Sequence, residues 1–414
     1  PTAPGQAGMF VRLNTLNYGF RYNLPKSENM EVAAGLNGML QDNKSLDATD
    51  FPIPDYRLYD AGAYVYAKWR SGKWSMSGGL RYDLRRVQWN DFYTRLNTGS
   101  GFDEQAFFPD TARSTLQFPA YRKWFQGVSA GLGLTFRVTG QISLKANIGR
   151  AYRAPNITEM ASNGLDPGAH IIYLGDRNLK PEFSLQEDIG VIAGFDDFSA
   201  DLSLFNNHIQ NYIYQSLVTG ADGNAITDAQ GNKTYQYQQA AAQLYGAEIW
   251  FAVHPGKLKG FRLDNQLAVV YGLNREPAYG GKGVNGEYLP FIPPLKLLSS
   301  VSKEIRPASS CFSAVTPKVE MEWAAAQNRY LGLNGTETPT PAYVLFNAGI
   351  AIQIKCSKAQ TLQFQWQVNN LFDKAYQSNL SRLKYFEYYR QSPDGHLGIY
   401  SMGRNICFKM IVPF

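Results

Sequence analysis

The sequence predicts an all-β fold, a transmembrane antiparallel β-barrel wall of about 15 strands, and three observations carry that prediction. The closing stretch alternates: Ile406, Phe408, Met410, Val412 and Phe414 fall on one face, Asn405, Cys407 and Lys409 on the other. Segments with the same period of two recur along the chain. The connectors between them are short and long in strict turn.

The alternation is what lipid on one side and water on the other demand, because successive side chains of a strand point to opposite faces. Met30, Val32, Ala34 and Leu36 oppose Glu31 and Asn37; Ile142, Leu144, Ala146 and Ile148 oppose Ser143, Lys145 and Asn147. Leu362, Phe364, Trp366 and Val368 oppose Gln363, Gln365 and Gln367. Roughly ten residues per segment is what a tilted strand needs to cross the hydrocarbon layer.

Short connectors are expected near residues 25–29, 71–73, 139–141, 196–197, 255–260, 307–310 and 357–359. Long ones cover 42–56, 90–124, 153–183, 215–235, 274–294, 327–341 and 377–402. Tight periplasmic turns and long extracellular loops produce this alternation, whereas a soluble sandwich has no reason to keep its long loops at one end. The expected location is therefore a bacterial outer membrane, with long loops extracellular and the C-terminus periplasmic. On that orientation the first strand, about residues 8–24, and the last both run inward. An odd number of such strands cannot close antiparallel on itself. About seven more, supplied from outside this chain, would complete a 22-stranded barrel of the plugged kind.

Composition agrees. No run of about 18 apolar residues exists, which excludes membrane-spanning helices. With 26 Tyr and 24 Phe but only 18% charged residues, the chain suits strands ringed by interfacial aromatics better than helical packing. The net charge of +6 is spread out, and Arg85-Arg86 and Arg122-Lys123 are far short of a nucleic-acid footprint. The expected partner is outer-membrane lipid, not nucleic acid. Pro1 opens an ordinary polar segment, so an export signal is expected upstream of it, and residues 1–414 read as the C-terminal portion of a longer barrel.

Several boxes carry a family resemblance. Arg150-Ala-Tyr-Arg-Ala-Pro155 with Glu159, then Asn178-Leu-Lys-Pro-Glu182 with Glu187, bracket the 153–183 loop. Tyr245-Gly-Ala-Glu248, Pro290-Phe-Ile-Pro-Pro294, Glu337-Thr-Pro-Thr-Pro341 and Asn369-Asn-Leu-Phe-Asp-Lys-Ala-Tyr376 follow, with Arg404-Asn405 and Phe414 at the end. In this order the set resembles TonB-dependent outer-membrane receptors, of the iron-complex type common in Bacteroidetes. The resemblance implies uptake of a scarce nutrient, a ferric siderophore or haem, bound in the extracellular loops. It also implies an N-terminal plug that fills the lumen until the TonB energy-coupling complex pulls on it. Neither that plug nor the first strands lie within these residues. No resident cofactor is implied.

Read from the residues alone, these boxes are structural first. Pro155 and Pro181 end strands because neither donates to a ladder. Arg153 and Glu182 are placed to pair across the loop base, although Arg153 is also a candidate ligand contact.

Candidate ligand residues lie in the long loops. His170 sits between the first two boxes, where the resemblance implies an axial histidine in haem receptors; a turn histidine making a hydrogen bond is the alternative. Asp166 and His170 form an i, i+4 pair that zinc would need supplemented, with His396 from the last long loop as a third candidate. A ferric siderophore needs no protein ligand to iron. It needs aromatic faces and cationic donors, for which Tyr173, Tyr330 and Tyr388, with Arg113, Arg329 and Arg390, are candidates. Packing among the loops would use the same aromatics.

Cys311 and Cys356 are expected nearly opposite each other at the short-connector edge, where an oxidising periplasm permits a disulfide; two separate thiols are the alternative. No nucleophile constellation, phosphate-cradling loop or Cys/His metal spacing is present, and the expectation is not an enzyme. The contrasting function is a receptor-like barrel retained as a structural or assembly subunit among other outer-membrane subunits.

Overall fold

The computed structural model describes residues 7–25, 27–308, 311–355, 361–385 and 398–412. Among the described residues no helix is long and apolar enough to cross a membrane.

The wall begins with β1 (Val11–Asn23), β2 (Met30–Ser45), β3 (Tyr56–Ser71) and β4 (Trp74–Trp89). A loop sheet follows, made of β5 (Phe92–Asn97), β6 (Phe102–Ala106) and β7 (Thr115–Phe118). The wall resumes with β8 (Tyr121–Arg137) and β9 (Ile142–Arg153). The next connector carries helix α1 (Ile157–Ala161) and the ribbon β10 (Asn163–Asp166) and β11 (Ile171–Leu174). Then come β12 (Glu182–Gly194), β13 (Phe198–Leu217), β14 (Lys233–Val253), β15 (Phe261–Asn274) and β16 (Lys296–Lys303). The last are β17 (Phe312–Ala324), β18 (Tyr343–Lys355), β19 (Thr361–Asn369) and β20 (Asn405–Ile411).

Each wall strand pairs antiparallel with the next, from β1 through β20. Setting aside β10 and β11, the 17-stranded sheet leaves a meander of fifteen strands, so β1 and β20 run the same way. Short and long connectors alternate without exception, which gathers β5–β7, α1 and the β10–β11 ribbon at one edge.

Parity sorts the two faces. Ala34, Val65, Leu80 and Ala130 are register partners in succession on the outward face. Asn37, Asp60, Arg81 and Arg85 take the opposite parity, towards the lumen. Aromatics mark the borders of the apolar band: the Trp74 and Phe136 rings lie 4.3 Å apart, tilted by 36°, near the short-connector edge, and Trp124 is exposed near the other. Twelve residues of a strand rising ~3.3 Å each at a tilt of ~40° put Trp124 about 30 Å from Phe136, close to the hydrocarbon thickness.

The main buried cluster lies not in mid-wall but at the long-connector edge. Tyr56, Leu58, Val87 and Phe125 from the strands pack with Phe51, Phe92, Phe118, Met160 and Leu179 from the connectors. Burying such side chains stabilises by about 1.5–3 kcal/mol each. The long loops are thus folded onto the mouth as a structured layer.

Candidate functional site

The two boxes around the 153–183 loop meet in three dimensions. Asn156 caps α1 by accepting from the Glu159 amide, and the Glu159 carboxylate accepts in return from the Asn156 amide, both at 2.8 Å. The same Glu159 carboxylate accepts from Arg153 Nη1 at 2.8 and 3.0 Å, while Arg153 Nε donates to Glu182. Arg153 and Glu182 are direct register partners of the β9–β12 ladder. Leu179 is fully buried, and its carbonyl accepts from Lys123 Nζ at 3.1 Å. The boxes are therefore the base of a loop, and Arg153 has both carboxylates as partners.

Beneath this base the lumen wall carries charges that sequence reasoning missed. Asp60 and Arg85 are register partners joined by two hydrogen bonds of 2.7 Å, a bidentate geometry. Arg81 Nε donates to Asp83 at 2.7 Å, and its Nη1 to Asn37 at 2.8 Å. With Tyr152 and Arg153 these residues line a cavity of about 380 Å³. The usable signal was parity, since Arg81, Asp83 and Arg85 alternate with the outward Leu80, Tyr82 and Leu84. Glycine makes the wall flat here: a Cβ on Gly127 would stand 2.0 Å from the Tyr152 ring, so the ring lies where a side chain would otherwise project.

Among the described sequence candidates, Tyr173 is drawn into an aromatic cluster beside a cation. Its strand β11 adds in parallel to the top of β14, placing Tyr173 opposite Tyr235, with the Tyr237 ring at 6.2 Å. The Arg382 charge acts on both Tyr173 and Tyr237, and its guanidinium lies 3.8 Å from the Phe291 ring centroid. Burial pushes the Tyr173 hydroxyl above its ordinary pKa, with Arg382 pulling the other way. Tyr237, Phe291 and Arg382 were not singled out as ligand candidates from the sequence, because they come from strand β14 and two separate connectors, and only folding brings them together.

The other described candidates make contacts of their own. Arg329 stacks on Tyr271 at 4.3 Å, with Tyr330 next to it in the chain. Arg113 is exposed in the turn before β7. His170 is exposed with φ of 53°, and its amide donates to the Asp166 carbonyl at 2.9 Å. Asp166 Oδ1 accepts from the amides of Gly168 and Ala169 at 3.0 and 3.1 Å, so its carboxylate shapes the turn. No group of three or more His, Cys, Asp or Glu able to hold a metal exists among the described residues. Tyr388, Arg390 and His396 lie outside the described residues, as does Cys356, the expected partner of Cys311. The Cys311 carbonyl accepts from the Lys355 amide, the last residue of β18, at 2.8 Å.

A polar network ties the loops that carry this cluster. Lys384 Nζ donates to the Thr340 hydroxyl at 2.7 Å and to the Thr338 carbonyl at 3.0 Å. Asn379 and Gln327 both donate to the Ile292 carbonyl, at 3.0 and 2.6 Å. Glu337 accepts from the amides of Phe291 and Leu331, each at 3.0 Å. Burial pushes the Lys384 ammonium down to about 8 and raises the Glu337 carboxyl.

A family model described as TonB dependent receptor-like, beta-barrel matches residues 4–371. The Probable TonB-dependent siderophore receptor PirA of Acinetobacter baumannii is 28% identical over 132 residues, which cover 28% of this chain and 18% of that protein. The Ferric enterobactin receptor of Pseudomonas aeruginosa is 32% identical over 98 residues, 22% of this chain and 13% of that one. Among solved structures, the Copper transporter OprC superposes with a TM-score of 0.70 at 17% identity, over 97% of this chain and 56% of that chain. The ferric yersiniabactin uptake receptor FyuA from Yersinia pestis gives 0.60 at 14%, over 98% and 55%. At these identities the structural likeness is one of fold alone. The chain spans a little over half the length of these solved neighbours, and its matched segments take up under a fifth of the two receptors aligned by sequence. The matched model covers most of the chain, and the antiparallel wall agrees with it. The chain belongs to the TonB-dependent receptors, outer-membrane transport receptors rather than enzymes, through their β-barrel domain.

Proposed function

We propose that the parent of this chain is an active uptake receptor for a ferric siderophore or haem, captured at the Tyr173–Tyr237–Phe291–Arg382 cluster. That cluster is the observation that carries the reading. Tilted aromatic rings beside a guanidinium suit a bulky anionic complex whose iron is already coordinated, because they offer a π face and a charge without needing a metal ligand. The similarity to siderophore receptors supports the same class of cargo. The full barrel, with plug and first strands supplied by the rest of the parent, would sit in the outer membrane with its long loops outside and its C-terminus in the periplasm. The TonB complex would act through that plug. Cys311 and Cys356 would close the β17–β18 pair at the periplasmic edge.

The test is uptake of iron-labelled siderophore or haem by cells carrying the full-length parent. Uptake should stop with a protonophore and fall in the Tyr173→Ala, Arg382→Gln double variant. Uptake indifferent to both treatments, or stable co-purification with other outer-membrane subunits and no saturable binding, would favour a scaffold instead. For haem, a Soret band that survives His170→Ala removes His170 as the axial ligand.

A further inference from the structure

Three polar side chains of the long-connector layer meet where little water reaches. Thr340 and Asn379 are each 3% exposed and Lys384 is 6% exposed. Lys384 Nζ lies 2.7 Å from the Thr340 hydroxyl, which in turn donates to Asn379 Oδ1 at 2.8 Å. A third contact runs from Nζ straight to the same Oδ1 at 3.4 Å. The Asn379 amide nitrogen is turned away and donates to the Ile292 carbonyl at 3.0 Å. An amine, a hydroxyl and a side-chain carbonyl thus close a triangle.

Burial pushes the Lys384 ammonium down to about 8 against the pull of the Glu337 charge. The Glu337 oxygens are themselves held by the amides of Phe291 and Leu331. A neutral amine has two hydrogens and one lone pair. The hydrogens have their acceptors, the Thr338 carbonyl at 3.0 Å and the Thr340 hydroxyl. The lone pair is left facing the third and longest contact, the Asn379 amide. Cγ lies one carbonyl bond, about 1.2 Å, from that oxygen. A turn of the flexible lysine stem brings Nζ to the roughly 3–3.5 Å of a near-attack arrangement.

We propose that Lys384 Nζ and Asn379 Cγ become joined in an amide, an intrachain isopeptide bond that closes residues 379–384 into a covalent ring. The Nζ lone pair forms the new C–N bond as the carbonyl π pair moves onto Oδ1. One proton leaves Nζ, passes through Thr340 Oγ1 and reaches Oδ1. Collapse restores the carbonyl and breaks the Cγ–Nδ2 bond, and the nitrogen departs as ammonia with that proton. Nothing is oxidised or reduced, and no outside reactant is needed. The ring contains Arg382, so the turn that holds this guanidinium over Phe291 is closed covalently before any ligand arrives. The bond itself does not rest on the uptake reading. Once acylated, Lys384 no longer titrates, so an alkaline response of the network belongs to chains in which the bond has not formed.

The experiment is peptide mass spectrometry on the full-length receptor purified from outer membranes. Trypsin cuts after Lys374, Arg382 and Arg390, and an acylated Lys384 resists it. Residues 375–382 and 383–390 should therefore stay joined, lighter by one ammonia than the two peptides together. In Lys384→Met the joined species should disappear. In Asn379→Asp the same bond should form with loss of water instead of ammonia. Thr340→Val keeps the shape and removes the proton path, so in pulse-labelled receptor linkage should be about a hundredfold slower. Ordinary cleavage after Lys384 in the unaltered protein overturns the proposal, and that measurement needs no variant to fold. So does Asn379 converted to aspartate with Lys384 still cleaved, which would mean attack by water. Equal linkage in a synthetic peptide of residues 375–390, or full-rate linkage in Thr340→Val, overturns it too, because the folded triangle would then not be the agent.

Discussion

Arg153 and Glu182 are register partners on adjacent wall strands, and Arg153 reaches from that pair to the Glu159 carboxylate that caps α1. One guanidinium thereby fixes both ends of a connector 28 residues long, numbers 154–181. The carboxylates are only 10% and 12% exposed, while Arg153 is 42% exposed. The acids are therefore the partners that would suffer most from its loss.

Arg153→Ala should leave both carboxylates poorly solvated. Breaking a fully buried pair costs about 3–5 kcal/mol. With the guanidinium half in water, about 1–2 kcal/mol is expected. The loss should fall on the loop more than on the wall. Limited proteolysis should show cleavage within residues 154–181 while the heat-dependent gel shift of the folded barrel stays in place.

Tyr152 lies over Gly127, and Gly127→Ala should push the ring off the wall. Overpacking of this kind costs about 1–3 kcal/mol. Adding Tyr152→Ala should recover much of it, and a double-mutant cycle on thermal unfolding measures the coupling. Additive effects would mean that the ring does not depend on the missing side chain.

Loss of the aromatic–cation platform should weaken ligand capture without unfolding the loops. Tyr173→Ala and Arg382→Gln should each reduce binding of the iron complex about tenfold, given about 1–1.5 kcal/mol for a partly desolvated ring or cation contact. Equilibrium binding on whole cells reads this directly. Arg113→Gln, at an exposed position distant in sequence from the platform, should leave binding unchanged.

The loop network should respond to alkaline pH. Lys384 titrates at about 8 when folded and at 10.5 in its ordinary state, because burial disfavours the ammonium. Between those values the unfolded state binds more protons, so closure of the network gains stability as pH rises from about 8 to 10.5. Glu337 is raised and works in the opposite sense in an acidic window: its contribution is present below the ordinary carboxylate range and lost as pH rises through its raised pKa. Hydrogen exchange across residues 327–341, compared at each pH with Lys384→Met, should show the variant's slope flattened above pH 8.

Much of this molecule is written along the chain, because a strand's period of two and the solvent on each side translate directly into residue order. The outward parity of Met30, Val32, Ala34 and Leu36, the alternation of connectors, and the pairing of Arg153 with Glu182 all follow from local pattern. The lumen charges Arg81, Asp83 and Arg85 were legible by the same parity. What folding alone decided are meetings between distant loops. Tyr173 joins Tyr237, Phe291 and Arg382 because β11 adds to the top of β14, a parallel pairing that no local pattern announces. Asp166 likewise turned out to hold a turn, since nearby amides reached its carboxylate first. A wall repeats, so its chemistry can be read by counting. A mouth is built from single contacts among irregular segments, and those exist only once the chain has folded.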